Sequence, residues 1–118
     1  MKTCTTYMPT ERGKMGIDTK YIIYVEAARD FSRVILNNNE SLNLLLTIDE
    51  VEQLLYDQGF FRFNYKHLVN LRYVQMIFTR DASKVILENE KEIFVSQSRR
   101  EALFENLKKV FDLQEVAG

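Results

Sequence analysis

Phe60-Phe61-Arg62-Phe63-Asn64-Tyr65-Lys66-His67-Leu68-Val69-Asn70-Leu71 is the most telling run in the chain. Its first half, Phe60 to Asn64, is aromatic and suits a pleated strand. Its second half, Tyr65 to Leu71, is open between strand and loop. The charge around it is one-sided. No Asp or Glu lies between Gly59 and Arg80, while Arg62, Lys66, Arg72 and Arg80 all do. Asn64, Tyr65 and Asn70 add hydrogen-bonding groups to the same stretch.

Toward the N-terminus the period changes. Ile48, Val51, Leu54 and Leu55 recur at i, i+3, i+6 and i+7, the spacing of one helix face. Thr47 with Glu50 forms a capping-box pattern, and Gly59 suits the helix end. Earlier still, Tyr21 to Glu26, Phe31 to Leu36 and Ser41 to Leu46 read as strands, with Asn37-Asn38-Asn39 turning between the last two. Toward the C-terminus, Tyr73 to Thr79, Lys84 to Leu87 and Lys91 to Val95 read as strands. Asp81-Ala82-Ser83 and Glu88-Asn89-Glu90 are the turns between them. Ser98 with Glu101 matches a second capping box, opening a helix to about Leu113 whose apolar face is Leu103, Phe104, Leu107, Val110 and Phe111. About seven short strands and two helices make the chain mainly β, α+β at the margin, with packed antiparallel sheets or a barrel-like arrangement.

A length of 118 residues suits one domain. Met1 to Gly16 shows no sustained period and is expected to be a flexible arm, leaving 17–118 as the folded domain. Apolar residues at 46% and charged residues at 28% are those of an ordinary folded protein rather than a disordered one. No apolar run approaches the ~20 residues that span a bilayer, and the N-terminus has no signal-peptide core. A cytoplasmic location is expected. Cys4 has no second cysteine to pair with and reads as an incidental tail residue. The net charge of −1 argues against nucleic-acid binding, unless the cations are segregated.

Enzyme motifs are missing. The glycines at 13, 16, 59 and 118 form no phosphate loop, and no second histidine joins His67 in a zinc pair. His67 reads as a partly buried ring beside Leu68 and Val69. No catalytic constellation, cofactor motif, metal motif or small-molecule substrate is indicated. The cations do segregate. Arg99 and Arg100 sit at the expected start of the last helix, where backbone N–H groups and the helix dipole attract anions. Arg29 and Arg33 flank the turn between the first two strands.

The chain resembles the LytTR DNA-binding family. Ile23-Tyr24-Val25-Glu26-Ala27 is similar to the family's opening signature. Phe60 to Leu71 is similar to its central motif, an aromatic, Arg and His run that closes on Leu-Val-Asn. Ile93-Phe94-Val95-Ser96, followed by basic residues and a helix, resembles its closing motif. The likeness covers roughly Ile17 to Asp112. Asn64 stands where the family usually has His, Lys66 where Ser is frequent, and Gln97 and Ser98 where Arg is common.

The resemblance implies an elongated, mainly β fold of several small antiparallel sheets with a mid-chain and a C-terminal helix. It implies a bacterial transcription regulator, such as a response regulator, whose loops enter successive major grooves and bend the DNA. The DNA would carry direct repeats, bound by a homodimer or by two monomers side by side. Carried over by motif, Ser32 and Arg33 face DNA from the first loop, with Arg29 beside them. Asn64, Tyr65 and Lys66 do so from the second, and Gln97, Ser98, Arg99 and Arg100 from the third. The cations would hold phosphates or guanine edges, and Asn64 and Gln97 would read adenine. Glu26 anchors a loop or pairs with a cation such as Arg62, and Asn70 holds a turn. The receiver domain that usually precedes this module is not in the chain, so a free-standing regulator or a piece of a longer one is expected. An alternative function is a protein-interaction or dimerisation module that has lost tight DNA binding, favoured by the acidic balance and by Gln97 and Ser98.

Overall fold

Strands form where β-branched and aromatic residues alternate with polar ones, and the alternation decides which of two cores each side chain enters. A computed structural model of the chain describes residues 5–77 and 83–111. Cys4, the strand end at 78–79, the turn residues Asp81 and Ala82, the helix end near Leu113 and the Val110 and Phe111 side chains lie outside what it describes. In chain order the strands are β1 (Thr5–Thr10), β2 (Gly13–Asp18), β3 (Ile22–Ala27), β4 (Ser32–Leu36) and β5 (Ser41–Leu44). After helix α1 (Ile48–Leu54) come β6 (Phe60–Asn64), β7 (His67–Asn70), β8 (Val74–Ile77), β9 (Lys84–Leu87) and β10 (Glu92–Phe94), then helix α2 (Arg100–Phe111).

Two antiparallel sheets result. The larger runs β2-β1-β5-β4-β3-β7-β6 and the smaller β10-β9-β8. The large sheet lies between two cores. On one face Met8, Val25, Val34, Leu44 and Leu68 pack with Ile48, Val51 and Leu55 from α1 and the turn after it. On the other face Tyr24, Phe63 and Val69 pack with Val85, Leu87 and Ile93 of the small sheet and with Leu103 and Leu107 of α2. Neighbouring residues of β3 split between them, Tyr24 to one core and Val25 to the other, as a period of two requires. The molecule measures 50 × 36 × 24 Å, so it is elongated as expected.

Three strands beyond the expected seven appear. One, β7, resolves the ambiguous Tyr65 to Leu71 segment into a turn, a strand and a 3-10 turn at Leu71–Tyr73. The other two correct the flexible-arm expectation. Residues 5–18 form a hairpin with Met8 opposite Met15, and Thr10 pairs onward with Leu44 of β5. The Met8 side chain is fully buried, which anchors the hairpin on the core. Pro9 fits because it needs only to accept, and its carbonyl takes the Leu45 N–H at 2.9 Å.

The first capping box forms as read. The Thr47 N–H donates to Glu50 Oε1 at 3.0 Å, and the Glu50 N–H donates to Thr47 Oγ1 at 3.2 Å. The helix stops at Leu54, earlier than expected, and Gly59 uses its positive φ of 86° in the turn that enters β6. The second box does not form. Ser98 lies inside a 3-10 turn over Gln97–Arg99, and the residue at its start, Ser96, makes no side-chain cap.

Candidate nucleic-acid interface

Three connections meet at one end of the large sheet. The turn between β3 and β4 holds Arg29, and the turn between β6 and β7 holds Tyr65 and Lys66. The Ala27 N–H donates to the Lys66 carbonyl at 2.8 Å, which ties the first two together. The 3-10 turn at 97–99 joins them from the far side of β6, where the Ser96 N–H donates to the Phe63 carbonyl at 2.9 Å.

Across this end runs a row of polar residues, one per strand. Asn43 of β5 lies opposite Arg33 of β4, and Arg33 lies opposite Glu26 of β3. Glu26 lies opposite His67 of β7, and His67 lies opposite Asn64 of β6. Directly opposed residues share a face of the sheet, and this face is the one that carries Tyr24. Burial and Glu26 raise the pKa of the Tyr24 hydroxyl, and Arg33 opposes them, as its place in the row requires.

Beyond Asn64 the row continues into the third connection. Asn64 Nδ2 donates to the Phe94 carbonyl at 2.6 Å. The Arg99 guanidinium lies 5.9 Å from the Phe61 ring centre, and the Arg100 guanidinium lies 5.7 Å from that of Phe94. An open polar cleft beside them is lined by Asp49, Glu52, Arg62, Asn64, Tyr65 and Arg99.

The expected contact residues divide into two sets. Arg29, Arg33, Tyr65, Lys66, Gln97, Ser98 and Arg99 are exposed, Tyr65 to 83%. Among the described residues no carboxylate forms an ion pair with Arg29, Arg33, Lys66 or Arg99, so these cations remain available to an outside anion. The second set is committed to the fold. Ser32 is 0% exposed and its Oγ donates to the Leu46 carbonyl at 2.7 Å, so it cannot face DNA. It stands two residues from buried Val34 and therefore points to the same core.

Asn64 is a brace rather than an adenine reader. Its Oδ1 accepts the Lys66 N–H at 2.8 Å and faces His67 Nδ1 at 3.1 Å, so the oxygen is turned into the fold. Bidentate reading of adenine needs that oxygen. Arg100 is half-buried, and its Nε donates to the Val95 carbonyl at 3.2 Å.

Glu26 pairs with His67, Oε2 to Nε2 at 3.2 Å, and not with Arg62. Arg62 projects from the opposite face of β6 and meets Asp49 at 2.8 Å and Glu52 at 2.9 Å. Its Nε and a terminal nitrogen also donate to the Asn64 and Tyr65 carbonyls, each at 2.8 Å. Arg62 thus clamps the β6–β7 turn to α1. The roles of Asp49 and Glu52 escaped sequence reading, although their i, i+3 spacing on one face of α1 marks them as a pair. Asn70 holds a turn as expected, accepting the Arg72 N–H and donating to the Ile22 carbonyl.

Among the described residues no group of His, Cys, Asp and Glu side chains is placed to hold a metal ion, and no helix is long and apolar enough to cross a membrane. What the arrangement offers, among the described residues, is a strip of cations without carboxylate ion pairs and of hydrogen-bonding side chains, the chemistry that phosphates and base edges require.

Comparison with known proteins agrees with that chemistry. No curated protein matches the chain. Among solved structures it is similar to the LytTr DNA-binding domain of a Bacillus cereus protein described as a methyl-accepting/DNA response regulator. The TM-score is 0.68 at 22% identity, over 91% of this chain and 97% of that one. The family model for the LytTr DNA-binding domain matches residues 13–108. The chain belongs to the LytTR family of DNA-binding domains.

Proposed function

We propose that the domain is a sequence-specific transcription regulator that grips one side of a duplex through its three clustered turns. The β3–β4 turn supplies Arg29 and Arg33, the β6–β7 turn supplies Tyr65 and Lys66, and the 97–99 turn supplies Gln97, Ser98 and Arg99. The three turns would enter successive major grooves of a bent duplex, and direct repeats would seat two copies side by side, as a homodimer or as adjacent monomers. The work would take place in a bacterial cytoplasm.

The observation that carries this reading is the cross-strand row. It sets Arg33 and the Asn64 turn on one face of one rigid sheet, with Arg99 continuing the line. Three carboxylates near the strip have partners, Glu26 with His67 and Asp49 and Glu52 with Arg62, while Asp30 stands exposed in the β3–β4 turn.

Selection of bound fragments from a random duplex pool, followed by affinity measurement across a salt series, tests it. Binding should weaken steeply with salt, and Lys66→Ala or Arg99→Ala should each reduce the log–log slope by about one. Unchanged affinity in both variants, with the fold intact, contradicts the assignment of these turns.

A second reading, a protein-interaction module without tight DNA binding, draws on the exposed Asp49 carboxylate beside the cleft and the net charge of −1. It predicts no salt-sensitive duplex binding, and a stable complex with a protein partner instead.

A further inference from the structure

Both ring nitrogens of His67 face oxygen atoms. Nε2 lies 3.2 Å from Glu26 Oε2, and Nδ1 lies 3.1 Å from Asn64 Oδ1. The amide of Asn64 cannot turn to suit the ring, because its other partners fix it. Its Nδ2 donates to the Phe94 carbonyl, which can only accept. Its Oδ1 receives the Lys66 N–H, which can only donate. A neutral imidazole carries one N–H and one lone pair. In that state one of the two contacts sets a lone pair against an oxygen. Only the imidazolium donates to Glu26 and Asn64 together.

The surroundings act on the ring in opposite directions, with a net lowering of its pKa. Burial is the largest influence and pulls its pKa below the ordinary value. The Glu26 carboxylate pushes it back up through a hydrogen bond and its charge, and Lys91 and Lys66 add to the lowering. Tyr24 of β3 presents its ring 6.0 Å away, and Arg33 of β4 lies across from Glu26. The chain Glu26–His67–Asn64 therefore runs from the strand beside the first basic turn to the backbone of the second.

We propose that His67 is a positioning residue for the interface: with both nitrogens protonated it completes the Glu26–His67–Asn64 chain and holds the 64–66 turn in the geometry that meets DNA. The inference rests on the DNA-binding reading, and its first test uses no DNA.

In the free protein, NMR from roughly pH 8 to roughly pH 5 brackets the ordinary imidazole range. The His67 ring, the Asn64 side-chain amide and the Lys66 N–H should shift together with one midpoint. In Glu26→Gln that midpoint should move to lower pH, because the supporting carboxylate is gone. An Asn64 amide that stays flat while His67 titrates overturns the proposal.

With a selected duplex at fixed salt, wild-type affinity should rise on acidification by about fivefold more than that of His67→Gln, the worth of one hydrogen bond. Equal pH dependence in the two proteins overturns the positioning role while leaving DNA binding intact. Failure of the wild type to bind any duplex at either pH overturns the DNA-binding reading and this role with it. Thermal melts of His67→Gln confirm that each comparison is made on folded protein.

Discussion

Arg62 sits in a stretch free of acids and looks like one more cation offered to a polyanion, yet the fold consumes it. Its side chain is only 11% exposed and meets two carboxylates and two backbone carbonyls. The Asp49 partner is 82% exposed, so that ion pair contributes little by itself. The carbonyl contacts matter more. Arg62→Met should cost about 1–3 kcal/mol in urea unfolding, and it should loosen the 64–66 turn that the clamp holds. Ser32→Ala separates fold from function in the other direction. Losing the buried hydroxyl strands the Leu46 carbonyl and should cost about 1–3 kcal/mol, with duplex affinity unchanged. A matching loss of affinity would return Ser32 to the interface.

His67 gives a pH signature at the same scale. Its folded pKa lies below the ordinary 6.5, so the unfolded chain takes up the proton first as the solution is acidified. The stability owed to the neutral buried ring is complete above about pH 6.5 and is lost as the pH falls toward the folded pKa. That part of the acid loss should vanish in His67→Gln, read from unfolding midpoints across pH. Acid therefore lowers global stability even while it completes the Glu26–His67–Asn64 chain.

Lys66 and Arg99 were named through the family motif, and both are exposed. The inward face of Ser32 was also available from its i, i+2 relation to Val34. The Glu26–His67 pair was not, because it depends on the register between β3 and β7, separated by forty-one positions.

Elements were legible where their signals are local. The Thr47–Glu50 box needs four consecutive residues to form, and it formed. The strands from Ile22 to Leu44 follow from composition and asparagine turns. The N-terminal hairpin is the opposite case. One of its strands carries Pro9, and its place is set by pairing with β5 across more than thirty residues. The fully buried Met8, with Ile17 beside it in the same core, shows how firmly it is held. Met8→Ala should cost about 2–5 kcal/mol in chemical denaturation, as for other buried methionines. A loss below about 0.5 kcal/mol, the usual size of a surface effect, would mean the hairpin is the loose arm its sequence suggested. The failed Ser98 box has a physical cause as well. The chain enters α2 through a tighter 3-10 turn, where Ser96 stands at the start and Ser98 falls inside.

At the scale of the whole molecule, composition misleads. A net charge of −1 conceals a sheet end where, among the described residues, several cations lack carboxylate ion pairs. Some of the acids nearest that end have other tasks, on α1 against Arg62 and on β3 against His67. Overall charge governs solubility, while local arrangement governs binding. The mainly β, elongated architecture came from strand count and family resemblance. The sandwiching of one large sheet between two cores did not, because a linear pattern shows that faces alternate without showing what covers each.

The most direct test is chemical-shift mapping with a selected duplex bound. The account predicts that the largest backbone perturbations fall together on Arg29, Arg33, Tyr65, Lys66 and Arg99 at one end of the large sheet, with β2 and the far end of α2 unmoved. Perturbations centred on the β2 edge, or scattered over unrelated faces, would contradict it.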